Sequence, residues 1–405
     1  MFNNSIRLMF IENFIHGVWY FLKQILIILR HPVVTIEAIK SIIDVNKIIE
    51  SRKISVVFFD RIAIHYSFSK SIYDELVTLN QKALYVVCDK NHPKLRSDDS
   101  DYKQTFYLDK RYEAFLRFVN VPLIATPASH FPVLGKNKNT KIAHFFHSPN
   151  SMHFVYGDRA FDAYDIFFTV GPHHTKEFKL LEKLRTWKNK SSYPGGYPKI
   201  DILSRLSEDC FSEKIYKNTK RIAFAPSWLK TSILRTHGLS IIKNLIAEGY
   251  EVLLRPHIHS FDYDAEVISE IVNTFHDASF ELDDGSSFDK LYNCDILISD
   301  WSGMAFEFAF STCRPVVSVN VEGNRKILSI NNTKISADAM EDVCRFEIGT
   351  VCTPQLTNES IRNIYEQGVH SWAHKIALVR GKYLYNFGNS SKVISLKIKD
   401  LSNSP

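Results

Sequence analysis

Two histidines, one arginine and a turn of small residues are the groups in this chain whose types and spacing could do chemistry. In KIAHFFHSPN an apolar run ends at His147 and is stopped by Pro149. That puts an imidazole at the carboxyl end of a strand, where a base facing a cleft belongs. In EVLLRPHIHS the run Val252–Leu254 leads into Arg255, Pro256 and His257. A guanidinium offers a planar fork of donors to phosphate, and the second imidazole can give or take a proton near neutral pH. The stretch Leu291–Asn320 reads as an apolar strand (Asp295–Ser299), a small polar turn (Ser299–Gly303), an amphipathic helix (Met304–Phe310) and a strand after Pro315. Ser302 and Gly303 let the backbone come close to a ligand or take a left-handed turn, and the helix start aims unpaired N–H groups at it. A phosphate or pyrophosphate suits such a turn.

Supporting positions lie nearby. RIAFAPSWL leads a strand into a turn where Ser227 and adjacent amides meet phosphate and Trp228 packs near a base, while Ser299 and Asp300 begin the anion turn. Gly195–Asp201 supplies glycine flexibility beside the cleft, and His259 stands ready to replace His257. Plainer readings exist for each: loop histidines, a core tryptophan under a turn, and an ordinary strand–helix connection with a serine cap. His144 reads as a core histidine, His173-His174 as a cleft edge without companion ligands, and Asp262-Tyr263-Asp264 as a solvated acidic loop. No P-loop, G-x-S-x-G elbow or dinucleotide fingerprint occurs, and no metal site or cofactor is expected.

The elements that must position these groups alternate. Ile54–Phe59, Ala83–Cys88, Pro122–Thr126, Lys141–Phe146 and Asp165–Val170 read as strands between helical patterns. A second series follows at Arg221–Pro226, Glu251–Arg255, Ser279–Leu282, Asp295–Ser299 and Pro315–Val319. The alternation predicts two doubly wound, Rossmann-like α/β domains of parallel strands facing a cleft. A chain of 405 residues is long for a single core. We place a helical leader at 1–50, an acceptor-side domain at 51–205, a polar hinge at Leu206–Lys220, a nucleotide-donor domain at 221–375 and a helical tail at 376–405 that crosses back to the first domain.

Composition bounds the partners. With 45% hydrophobic and 13% aromatic residues the chain is globular, because disordered chains lack the apolar content that offsets ordering entropy. The net charge of +6, without a dense basic tract, suits an anionic substrate or membrane surface better than nucleic acid. Six scattered cysteines indicate neither zinc nor a disulfide framework, and so a reducing cytoplasm. Val18–Leu29 is apolar yet carries Lys23 and Gln24 and is short for a membrane span. It reads as an amphipathic helix on the inner membrane surface, with a packed helix and then a true span as the alternatives.

Taken in order, His147-Ser148-Pro149, Gly196-Tyr197-Pro198-Lys199-Ile200-Asp201, Ala225-Pro226-Ser227-Trp228, Leu253-Leu254-Arg255-Pro256-His257 and Ser299-Asp300-Trp301-Ser302-Gly303 resemble the CDP-glycerol glycerophosphotransferase family. The resemblance spans about Ala143 to Val319, with an echo in Tyr385-Asn386-Phe387-Gly388-Asn389. It implies a GT-B architecture, a CDP-linked polyol phosphate as donor, and a membrane-proximal glycan or polyol-phosphate polymer as acceptor. His147 and His257 then map onto the motif histidines, and Ser302 and Gly303 onto the donor phosphates. His-Ser-Pro and Asp-Trp-Ser-Gly stand where the family commonly has His-Gly-Thr and Asp-Tyr-Ser-Ser. Nucleotide-sugar glycosyl transfer, epimerisation and a non-catalytic scaffold are the competing functions.

Overall fold

The computed structural model describes residues 22, 25–96, 105–131, 137–157, 160–185, 187, 189–213, 220–228, 230–276, 279–285, 287–321, 329–330, 333–334 and 339–403. Seven strands form the first sheet: β1 (Val56–Asp60), β2 (Ala83–Val87), β3 (Thr105–Tyr107), β4 (Leu123–Thr126), β5 (Lys141–Phe145), β6 (Ile166–Thr169) and β7 (Ser191–Pro194), in the order β3-β2-β1-β4-β5-β6-β7. The second sheet holds β8 (Arg221–Phe224), β9 (Glu251–Leu254), β10 (Phe280–Leu282), β11 (Ile296–Ser299), β12 (Val316–Val319) and, after a small hairpin of β13 (Ser329–Ile330) and β14 (Thr333–Lys334), β15 (Gly349–Cys352). Its order is β10-β9-β8-β11-β12-β15. Every pairing within both large sheets is parallel. The strand order reverses between β1 and β4 in one lobe and between β8 and β11 in the other, and such switch points are where open α/β sheets bind ligands.

Helices cover both faces, which is why the central strands are apolar without alternation. β1, β2 and β4 are buried along their whole length. The two-residue period of β8, β9, β11 and β12 still sorts side chains. Ala223, Leu253, Leu297 and Val316 face a large core shared with the first lobe, while Ile222, Phe224, Val252, Leu254, Ile296, Ile298, Val317 and Val319 build a second core behind. The helix Met304–Thr312 lies between the lobes against the helix Pro198–Glu213. All of its residues from Ala305 to Thr312 are buried, so it is enclosed rather than amphipathic as its pattern suggested.

The expected hinge is partly helix, since Pro198–Glu213 runs through Leu206; residues 214–219 lie outside the described set. The tail does cross back. Ser390–Asn403 packs on the first-lobe helix Tyr66–Thr78, with Ser395 Oγ donating to Ile72 O at 2.8 Å and Lys399 Nζ to Leu79 O at 2.9 Å. Asp201 accepts from the amides of Gly388 and Ser390 at 2.8 and 2.7 Å, capping that helix and seating the Tyr385–Asn389 echo beside Gly196.

At the other end, Pro32–Arg52 is one helix. Thr35, Ala38, Ile42, Val45 and Ile49 make its buried face at helical spacing. Thr35 meets Tyr112 at 2.7 Å, and Ser41 donates to Tyr107 O at 2.8 Å. Most of Val18–Leu29 falls outside the described residues, but Leu22, Ile25, Leu26, Leu29, Val33, Ile36, Ile39 and Ile43 are exposed along the opposite side. No described helix is long and apolar enough to cross a membrane.

Candidate active site

β5 delivers His147 beside the first-lobe switch point, against the ends of β1 and β4. Its Nδ1 lies 2.7 Å from Pro127 O, just beyond β4. A carbonyl only accepts, so Nδ1 carries the proton and Nε2 keeps its lone pair. Burial holds the imidazole below its ordinary pKa, opposed by the Pro127 bond, with Lys199 lowering it and Glu307 raising it further. A neutral ring with a lone pair on Nε2 is what a general base requires. His65 stacks on it with ring centroids 6.0 Å apart, and Phe68 and Tyr156 bound it at 6.0 and 5.3 Å.

The loop after His147 is fastened from several sides. His173 Nε2 reaches Pro149 O at 2.8 Å and His174 Nε2 reaches Asn150 O at 2.7 Å, so this pair braces the loop from within the fold. The Ser151 amide donates to Glu341 Oε1 at 3.1 Å while Ser151 Oγ accepts from the Met340 amide at 2.7 Å, which ties the loop to the second lobe. Glu341 is pushed up to about 7, chiefly by burial. His144 is fully buried among aromatic rings, as a core residue.

The turn after β11 meets that loop. A methyl group on Gly303 would stand 2.6 Å from Asn150 Oδ1 and 3.2 Å from Ser148 Oγ. Gly303 has φ −61°, so its glycine is required by this close approach and not by a left-handed backbone. Ser302 Oγ accepts from the Met304 amide at 3.3 Å, half-capping the helix start. The loops after β5 and β11 thus converge on one place.

The remaining expected residues divide. Asp300 is buried and accepts from the Ser227 amide at 2.7 Å, Ser227 Oγ at 2.8 Å and the Ile233 amide at 3.1 Å. Ser299 Oγ donates to Ala225 O at 2.7 Å. These three side chains hold the loops after β8 and β11 together; they shape the turn instead of offering free donors to a phosphate. Arg255 is also buried, donating from Nη1 to Asp283 at 2.7 Å and to Ser287 O at 2.6 Å, and from Nη2 to Gly285 O at 3.2 Å. Its fork folds the loop after β10.

His257 sits differently. Its Nδ1 accepts from the His259 amide at 3.2 Å, which leaves the proton on Nε2. It stacks on Trp228 at 5.9 Å, and Trp228 stacks in turn on Tyr263 at 6.0 Å. Burial and His259 push His257 down to about 4, so it offers an uncharged donor. Asp264, expected in a solvated loop, is buried and paired with Arg235 Nε. Among the described residues no three His, Cys, Asp or Glu side chains converge to hold a metal ion.

Residues 127–324 match the CDP-Glycerol:Poly(glycerophosphate) glycerophosphotransferase family. The resemblance in the motifs is therefore borne out, over a segment that carries both histidines and the anion turn. Among solved structures, the wall teichoic acid polymerase TagF soaked with CDPG superposes with a TM-score of 0.60 at 16% identity, covering 95% of this chain and 98% of that one. MnaA of S. aureus with UDP gives 0.58 at 13% identity, over 86% and 97%. The UDP-GlcNAc 2-epimerase of Neisseria meningitidis bound to UDP-GlcNAc gives 0.54 at 14%, over 85% and 99%. At such identities these likenesses show the two-lobed fold alone. Among curated proteins none matches by sequence.

Five residues at the site were not singled out from the sequence. His65 and Phe68 come from the amino-terminal third, outside the matched segment. Tyr197 and Glu307 meet across the lobes at 2.7 Å, and Lys199, like Tyr197 quoted above only within a motif, reaches Glu307 at 2.7 Å. Glu307 did leave a signal: one carboxylate in the otherwise apolar MAFEFAF needs a buried partner.

Proposed function

We propose that this chain transfers a polyol phosphate, glycerol phosphate first among the candidates, from a CDP-linked donor to a hydroxyl of a glycan or polyol-phosphate polymer. The acceptor oxygen attacks the polyol-side phosphorus, a phosphodiester forms, the P–O bond to CMP breaks, and the acceptor proton passes to His147 Nε2. The diphosphate rests on backbone amides at the Ser302–Gly303 turn, and the His257 Nε2 proton bonds a phosphate oxygen beside the Trp228 stack. The lobe at 51–205 takes the acceptor, and that at 221–375 the donor. The observation that carries the reading is the approach of Gly303 to Ser148 and Asn150, because it sets a base next to an anion turn within the matched family segment.

The exposed apolar side of the leader helix supports a peripheral seat on the cytoplasmic membrane surface, within reach of a lipid-anchored acceptor. The deciding assay offers the full chain CDP-glycerol, CDP-ribitol and UDP-sugars with an acceptor polymer. CMP release with polymer growth supports the proposal. UDP release, or an epimerised sugar still bound to UDP, overturns it.

A further inference from the structure

His147 is joined to the second lobe by side chains that the reaction just described does not use. The Tyr197 hydroxyl donates to Glu307 Oε1 at 2.7 Å and lies 3.1 Å from His147 O, and Lys199 Nζ donates to Glu307 Oε2 at 2.7 Å. Tyr197 and Lys199 belong to the first lobe, Glu307 to the first turn of the helix behind the anion turn. Lys199 lies against Phe68 at 5.1 Å and Phe288 at 5.4 Å, and Phe68 is the ring that also bounds His147. The ion pair is largely shielded, with 19% and 6% of its side chains exposed. A shielded pair returns little net stability for the desolvation it requires, so its place beside the candidate base calls for another account.

We propose that Lys199, Tyr197 and Glu307 are positioning residues for His147: the bonded trio spans the lobes at the His147 carbonyl, with Lys199 on the Phe68 ring that bounds the imidazole, and so fixes two opposite charges near it. The proposal rests on the reading of His147 as the base. Around that ring stand His65 at the start of the helix Tyr66–Thr78, Tyr156 beyond the short helix Met152–Val155, His144 on β5, Tyr197 just before and Lys199 within the helix Pro198–Glu213, and Glu307. Burial holds His65 and His144 neutral and Tyr156 and Tyr197 protonated. Lys199 and Glu307 are the opposed charges of this set. Lys199 disfavours the imidazolium and Glu307 favours it, and their mutual grip keeps either from dominating.

The test is a pH titration of the His147 ring by NMR in the full-length protein with labelled histidine, its signal assigned by loss in His147→Gln. Lys199→Met should move the titration to higher pH and Glu307→Gln to lower pH, each by about 0.5 pH units or more. The double variant should return towards the parent, and Lys199→Arg should restore it. Shifts of the same sign, or none, in folded charge-removing variants would overturn the proposal; Lys199→Gln and Glu307→Met remove the same two charges with other side chains if the first pair unfolds. No donor is needed for this measurement. A failed CMP assay with opposite NMR shifts thus refutes the donor and leaves the positioning role standing.

Discussion

The loops after β5 and β9 look alike as sequence and differ as structure. Each is an apolar strand running into proline and histidine, one in either lobe. In the first, a carbonyl receives Nδ1–H, so Nε2 of His147 is a lone pair; in the second, a backbone amide donates to Nδ1, so Nε2 of His257 is a donor. One ring presents a lone pair and the other an N–H. Arg255 widens the contrast, because Asp283, Gly285 and Ser287 have drawn its fork into the loop after β10. The chemistry of a strand end is decided by which partner atom stands opposite it, and that atom comes from elsewhere in the chain.

The largest effect that would break this contrast is expected at His147. His147→Ala should lower turnover about 10²–10⁴-fold with donor affinity nearly unchanged, since a base acts on the acceptor proton. Saturating CMP-release kinetics report it, and an active folded variant would make the two loops equivalent. Next comes Arg255→Ala. Loss of one partner leaves Asp283 buried and uncompensated, so unfolding in urea should be easier by about 3–5 kcal/mol. If stability holds while donor binding falls, Arg255 faces phosphate after all. The smallest effect is assigned to His257→Phe, which keeps a ring on Trp228 but removes the Nε2 donor. Titration calorimetry with CDP should find affinity lowered about 2–10-fold, the worth of one hydrogen bond. Unchanged affinity would make His257 part of an aromatic stack and nothing more.

Ten strands were legible, because short apolar runs bounded by Pro, Gly and polar residues carry their own signal. Thr105–Tyr107, Ser191–Pro194 and Gly349–Cys352 were not, since they are edge strands with little apolar content. The two-lobed architecture and the helix after Gly303 could be read in advance. What hid was pairing at a distance: the Asp300–Ser227 bonds, the Arg255–Asp283 pair and the Lys199–Glu307 bridge join residues dozens to over a hundred positions apart. Local pattern holds no record of such partners. That Asn150 crowds Gly303 was hidden for the same cause.

The returning tail has a consequence for how the chain is born. Ile394 and Ile398 are fully buried in the core of the first lobe, yet in the chain they follow the whole of the second lobe. Domains usually fold in the order in which the ribosome releases them. Here the amino-terminal lobe must wait, with a greasy slot on the helix Tyr66–Thr78, until synthesis of the second lobe is over. The first lobe to emerge is thus the last to close, and a chain stalled before Ser390 presents chaperones and proteases with an open seam.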